Sequence, residues 1–331
     1  MIRKIFCRAA VLSLACLTLT ALSGCGAQHV NKPKETNAAS KTKEEKEATL
    51  PVSVPDTADE HPKLPLWEEN NTPFRMENGG REATIQPFLT EGADAAVIIF
   101  PGGGYFQLSE ESEGVAVAKA YNEQGYSAFV VCYRYEPYDG RATLADGQRA
   151  IQYVRYHAQE YGISPEKIAV CGFSAGGHLA VMTAEHAPEE NFAGDASEEN
   201  FARDAIGECS SYPNACILGY PVTTLGDGTF ITMPRIFLGE KQTEEAEIAK
   251  YSYPTNLDLM PPTFVFYSEQ DTAVDYLKNS VAFAKALRDA GKTVVCRGYK
   301  DGGHGVGLGT AFPDFSAWLE ESARFLKDIG F

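Results

Sequence analysis

Two stretches carry residue types that can do chemistry together. In "IAVCGFSAGGHLA" (168–180), Ser174 sits between Gly172 and Gly176, after an apolar run and before a helix-like one. In "KDGGHGVG" (300–307), His304 lies among glycines after another apolar run. A serine hydroxyl is a weak nucleophile until a base takes its proton. The chemistry open to such a pair is acyl transfer, provided that the chain also supplies an acid to orient the histidine and donors for a negative oxygen.

Gly172-Phe173-Ser174-Ala175-Gly176 fits G-x-S-x-G in a strand–turn–helix context, where a sharp turn exposes the serine at a helix amino end. Of the six histidines, His29, His61 and His157 precede Ser174. The chain order serine–acid–histidine of this motif excludes them as the base. His178 and His186 fall on or near the helix after the serine, with no separate strand-end acid before them, and His178 reads as structural. His304 remains. The acid belongs just past the preceding strand. "PPTFVFYSEQDTAVD" offers Asp271 and Asp275 there. Asp271, three residues beyond the strand, is the better placed, Asp275 reads as a helix-capping residue, and Asp301 is too near His304 in sequence to orient it. For the oxyanion, Gly103 and Gly104 of "IIFPGGGYF" follow a strand. Their amides, with that of Ala175, could form the donor set, because glycine lets the backbone approach closely. A phosphate-binding reading of that loop lacks the lysine and spacing of a P-loop. Tyr105 and Phe106, next in the chain, are candidates to wall the acyl site.

These residues need a scaffold that ends its strands on one edge. "ATIQPF", "AAVIIF", "YSAFVVCY", "KIAVCG", "ACILGY", "PPTFVFYS" and "KTVVCRGY" read as strands rich in Val, Ile and Phe. Helical patterns alternate with them, at 113–125, 142–162, 175–187, 275–291 and 315–330. This predicts an α/β fold with a mainly parallel central sheet flanked by helices on both faces. Residues 188–211 break the alternation with acidic and polar residues, and are expected as an excursion near the site.

The organisation outside this core is also legible. Residues 1–24 open with Arg3, Lys4 and Arg8 and continue as an apolar run ending in Leu22-Ser23-Gly24-Cys25. That is the layout of an export signal; its last four residues resemble the bacterial lipobox, in which the cysteine is acylated. A short transmembrane anchor is the competing reading, but a span needs about 20 apolar residues. Lipidation at Cys25 is therefore expected, and with it an exported bacterial lipoprotein at the cell membrane or surface. Residues 25–60, rich in Lys, Glu, Ala and Thr, read as a flexible tether. Residues 61–331 read as the catalytic domain.

The net charge of −16 argues against a nucleic-acid partner and against adhesion to anionic lipid through a basic patch. No Cys/His spacing suits zinc, and no metal or cofactor is expected. Cys132, Cys171 and Cys296 read as buried thiols. Cys209 and Cys216 flank "SSYPNA" and are open to pairing in an oxidising compartment.

Together "FPGGGYFQLSEESEGVAVAKAYNEQGYSAFVVCYRY", "LADGQRAIQYVRYHAQEYGISPEKIAVCGFSAGGHLA", "ACILGYPV", "PPTFVFYSEQD" and "GGHGVGL" resemble one group of α/β-hydrolases, the small bacterial carbohydrate esterases. These include acetyl-xylan esterases and bifunctional carbohydrate/feruloyl esterases. The resemblance is collinear over roughly residues 70–330. It implies a metal-free serine esterase that removes acetyl or feruloyl groups from an acylated oligo- or polysaccharide, using Ser174, Asp271 and His304. Pro101 stands where the broader esterase group often has histidine, as in this subgroup, and Val274-Asp275 stands where the family often has Val-Pro. Glu113 and Arg134-Tyr135 match family positions, either as structural hydrogen-bonders or as substrate contacts. Trp67 is open to sugar stacking or to the core. The competing functions are a peptidase or general lipase of the same fold, and a noncatalytic carbohydrate-binding surface lipoprotein.

Overall fold

The computed structural model describes residues 61–68, 71–76, 80–138, 140–186, 204–229 and 232–331. The expected leader, tether and Cys25 lie outside the described residues, as do residues 188–203 of the acidic excursion.

Among the described residues, eight strands form one sheet. They are β1 (Leu64–Pro65), β2 (Thr84–Phe88), β3 (Ala96–Phe100), β4 (Ser127–Cys132), β5 (Ile168–Phe173), β6 (Ala215–Gly219), β7 (Thr263–Ser268) and β8 (Val294–Tyr299). Their spatial order is β1-β2-β4-β3-β5-β6-β7-β8. β1 with β2 and β2 with β4 run antiparallel, and every pair from β4 through β8 is parallel. The sheet is the mainly parallel one that the sequence pattern predicts.

The run "AVIIF" is buried at every position, as are "SAFVVC", "IAVCGF" and "ACILG". Such unbroken burial follows from helices covering both faces. Successive side chains alternate between two cores. Ile98, Phe129, Val131 and Val170 join one core, and Val97, Ile99, Val130 and Cys171 the other.

Among the described residues seven α-helices flank the sheet: α1 (Ala116–Glu123), α2 (Gly140–Tyr156), α3 (Ala175–Glu185), α4 (Met233–Leu238), α5 (Glu245–Lys250), α6 (Ala282–Asp289) and α7 (Trp318–Asp328). Leu144, Ile151 and Val154 of α2, Leu179 of α3 and Phe283 of α6 fill the first core. Val117 and Tyr121 of α1, with Trp318, Phe325 and Leu326 of α7, fill the second. α4 and α5 were not predicted. Each has six residues, too few turns for a hydrophobic period to stand out.

Trp67 belongs to the first core. Its indole N–H donates to Asp146 Oδ1 at 2.7 Å, and the Arg149 guanidinium lies over its ring. Arg134 is also structural: buried, it is forked onto the Asp146 carboxylate and donates to Pro73 O.

The structure bears on two further readings here. The described part of the excursion, residues 204–211, does not approach the carboxyl edge of the sheet. Asp204 takes both Arg149 Nη groups, at 2.6 and 2.5 Å, and Gln152 of α2 binds Gly207 O and Cys209 O. Asn214 N–H then pairs with Ile168 O, at the first residue of β5. The segment starts after α3, which returns the chain to the amino edge, and ends where β6 begins. The pairing left open for Cys209 and Cys216 is absent; all five cysteines among the described residues are free thiols. Cys216 is buried inside β6, between β5 and β7, whereas Cys209 is partly exposed on the preceding loop. Cys296, on the edge strand β8, is only partly buried.

Candidate active site

The parallel strands deliver their following loops to one edge. β3 leads into Gly102-Gly103-Gly104, β5 into Ser174, β7 into Asp271 and β8 into His304. Segments far apart in sequence thus meet in one place.

Ser174 caps α3 with φ 52° and ψ −116°, a backbone conformation that costs a non-glycine residue about 1–3 kcal/mol. The turn is enforced by contact on both sides. A Cβ on Gly172 would collide with Gly176 O, and one on Gly176 with Phe100 O of the neighbouring strand. The glycines two before and two after the serine are therefore steric requirements of the elbow. Ser174 O accepts the amides of His178 and Val222, at 3.1 Å each, which tie the turn to α3 and to the chain after β6.

Ser174 Oγ lies 2.7 Å from His304 Nε2, and His304 Nδ1 lies 2.7 Å from Asp271 Oδ2. The other Asp271 oxygen accepts the amides of Ala273 and Val274, at 2.9 and 3.0 Å, and the side chain is almost wholly buried. The carboxylate is held from behind and presents one oxygen to the imidazole. This arrangement can pass a proton from Oγ to Nε2 while Asp271 keeps Nδ1 protonated. Asp275 instead caps the next helical segment through the amides of Leu277 and Lys278. Asp301 receives the amides of Asp314 and Phe315.

The glycine loop has φ 131° at Gly103 and 65° at Gly104. A Cβ at Gly103 would collide with Gln107 O, and one at Gly104 would press into the Phe106 ring. Among the described residues no hydrogen bond engages the amides of Gly103, Gly104 or Ala175. Three donors at the serine therefore stay free for an outside acceptor.

A cavity of about 220 Å³ opens over Ser174 and His304. Its apolar wall includes Phe106, Val222, Met233, Ala273 and Val274, and Gln107, Ser109 and Glu113 also line it. Phe106, 45% exposed, stands where it was expected. Tyr105 does not. It is 1% exposed and turned into the core, where its hydroxyl meets His178 Nδ1 at 2.9 Å and its ring packs on Tyr133 and Phe237. The reason is backbone direction: φ of 63° at Tyr105 points consecutive aromatics opposite ways. His178 also reaches Tyr251 O through Nε2, and burial pushes its pKa down to about 4. It is a neutral structural histidine.

Val222 and Met233 were missed. Both come from the segment after β6, whose carboxyl-edge position was a usable signal for Val222. Nothing local marks Met233.

Eight strands with parallel pairing from β4 to β8, together with a strained serine between strand and helix, define an α/β-hydrolase. The BD-FAE family model matches residues 86–287, and the chain belongs to that family. It is similar in structure to an acetyl ester-xyloside bifunctional hydrolase from Caldicellulosiruptor lactoaceticus, with TM-score 0.73 and 31% identity over 82% of this chain and 97% of that one. In sequence it is 30% identical to an acetylxylan esterase of Xylanibacter ruminicola over 75% of this chain, and 29% identical to an endo-1,4-beta-xylanase B of Butyrivibrio fibrisolvens over 68%. The chain spans only 48% and 34% of the length of these two relatives.

Proposed function

We propose that the protein is a serine esterase that removes acyl groups, acetyl foremost, from carbohydrate such as xylan. The observation that carries this reading is the unbroken chain from Ser174 Oγ through His304 to Asp271, with 2.7 Å at each link. Ser174 attacks the ester carbonyl, and His304 Nε2 takes its proton. The amides of Gly103, Gly104 and Ala175 receive the oxyanion. His304 returns the proton to the leaving sugar oxygen, then activates water to release the acyl group. The modest cavity suits a short acyl chain, and the exposed Gln107 is available to the sugar hydroxyls.

The export signal, acylated Cys25 and tether complete the proposal: a catalytic domain, residues 61–331, held near the membrane at the cell surface. Among the described residues no helix is long and apolar enough to cross a membrane. A Cys25→Ala chain is expected to lose membrane association; unchanged anchoring and processing would overturn this part.

The mostly apolar wall of the cavity favours one alternative, a general carboxylesterase for small esters. Both are tested by the purified chain and its Ser174→Ala partner. Acetate and ferulate release is followed from acetylated xylan and feruloylated oligosaccharide, with an aryl acetate beside them. Acetate release from xylan that vanishes in the variant supports the proposal. Activity on the aryl ester alone selects the general esterase. No activity on any ester removes both.

A further inference from the structure

We propose that Glu113 is a positioning residue for ester cleavage: its buried carboxylate clamps the glycine loop after β3 to the histidine loop after β8. This rests on the esterase reading above and assigns the site a carboxylate beyond Asp271.

Glu113 lies in a π-helical turn, Glu110–Val115, that leads into α1. Such wide turns often mark functional sites. Its side chain is turned inward and is 1% exposed. One oxygen, Oε2, accepts the amide of Gly102 at 2.8 Å; the other, Oε1, accepts the hydroxyl of Tyr220 at 2.6 Å. Tyr220 oxygen in turn accepts the amide of Gly307 at 3.0 Å. Gly307 O receives the Trp318 indole N–H at 3.1 Å, so this peptide is held from both sides. One carboxylate thus joins the residue before Gly103 and Gly104 to the loop that carries His304.

The packing is equally tight. A Cβ on Gly102 would lie 2.7 Å from Glu113 Oε2 and 3.0 Å from Ser174 Cβ, so Gly102 is sandwiched between the two side chains. A Cβ on Gly307 would collide with Ser112 O of the π-helical turn. The Tyr220 ring lies 5.0 Å from the His304 ring. Little free space separates the two loops around Glu113.

The ionised form suits these contacts. Gly102 can only donate, and Tyr220, accepting from Gly307, can offer its own proton to Oε1. An ionised carboxylate accepts at both oxygens. Burial works against that charge and raises the Glu113 pKa. The Tyr220 hydroxyl, the Gly102 amide, the nearby His304 and the Ser109 hydroxyl pull the other way. A charge held against its own burial cost suits a role in the site better than one in stability.

Glutamine cannot replace it. Its single oxygen serves one donor, and its NH₂ then faces the other donor or leaves the Tyr220 proton without an acceptor. The test compares full-length wild type, Glu113→Gln, Tyr220→Phe and the double variant on an aryl acetate, with thermal midpoints measured alongside. Because misplacing reacting groups by about 1 Å can cost on the order of 100-fold, Glu113→Gln is expected to lower kcat by roughly 10- to 100-fold. KM should stay within about threefold, and the kcat loss should persist at temperatures where the variant is fully folded. The double variant should lose no more than about twofold beyond Glu113→Gln, since both residues act in one network. A kcat within twofold of wild type, a loss that tracks a falling midpoint, or costs that multiply in the double variant would each overturn the clamp. A wild type inactive on every ester would instead remove the esterase reading, and the clamp with it.

Discussion

His304 Nδ1 meets Asp271 Oδ2 at 2.7 Å across 33 residues of chain, while Asp301, three residues from His304, turns to the amides of Asp314 and Phe315. Neighbouring strand ends, not sequence proximity, bring this carboxylate to the histidine. β7 and β8 pair from Thr263↔Val294 to Ser268↔Tyr299, so their following loops emerge side by side.

This pairing separates two aspartates by experiment. Asp271→Asn is expected to lower kcat by about 10⁴-fold, the loss typical when a histidine is left in the wrong tautomer. Asp275→Ala is expected to keep kcat and to lose about 1 kcal/mol of stability as a helix cap. Steady-state kinetics and denaturant unfolding on both variants check the assignment. The reverse pattern would reassign the acid.

Ser174 carries the backbone strain of the elbow. Ser174→Ala and Ser174→Gly should both lose turnover, but glycine adopts φ 52° freely. The glycine variant is expected to be more stable than the alanine variant by about 1–2 kcal/mol. Equal unfolding midpoints would show that the turn stores no strain.

Tyr105 and His178 form a buried pair behind the site. Tyr105→Phe removes the hydroxyl from His178 Nδ1 and is expected to cost about 1–3 kcal/mol of stability, with kcat on an aryl acetate changed less than threefold. A large kcat loss without destabilisation would return Tyr105 to the acyl wall.

The same histidine sets an acid limb of stability. Burial depresses the His178 pKa to about 4, so between about 6.5 and 4 the unfolded chain binds the extra proton. Stability contributed by neutral His178 is present above 6.5 and is lost as pH falls to 4, by up to about 3 kcal/mol. The difference in unfolding free energy between wild type and His178→Gln should narrow over that interval. A difference independent of pH would refute it.

Glu185 gives the opposite slope. It is buried at the end of α3, and neither oxygen has a partner in full hydrogen-bond geometry. Burial pushes its pKa up to about 7, tempered by the backbones of Thr255 and Asn256. The folded state therefore holds its proton more tightly, and stability falls as pH rises from about 4.5 to 7. Glu185→Gln is expected to stabilise the protein by about 2–3 kcal/mol at pH 8 and by little at pH 5. Thermal melts at the two pH values decide it.

Much of this was legible in the chain. Buried apolar runs of five or six residues located the inner strands, because a strand covered on both faces must be apolar throughout. Ser174, His304 and Asp271 were readable because the elbow, the glycine loop and the strand end each leave a local mark. Tyr105 was misread because a positive φ is invisible in a "GGYF" string. Residues 204–211 of the excursion lie against α2, away from the carboxyl edge, because α3 first returns the chain to the other edge, a direction that composition does not report. Met233 lay on a helix too short to show a period.

The sequence by itself determined the alternation of strand and helix, the steric need for glycine around Ser174, and the identities of the candidate reacting groups. These are properties of local backbone sterics and hydrophobic pattern, which act over a few residues. Only the tertiary structure decided that Glu113 faces both loops, that Tyr105 turns inward, that Val222 and Met233 wall the cavity, and that Cys216 stays buried and unpaired. Those outcomes depend on which strand ends lie side by side and which face a turn presents. Both are set by packing between segments dozens to hundreds of residues apart.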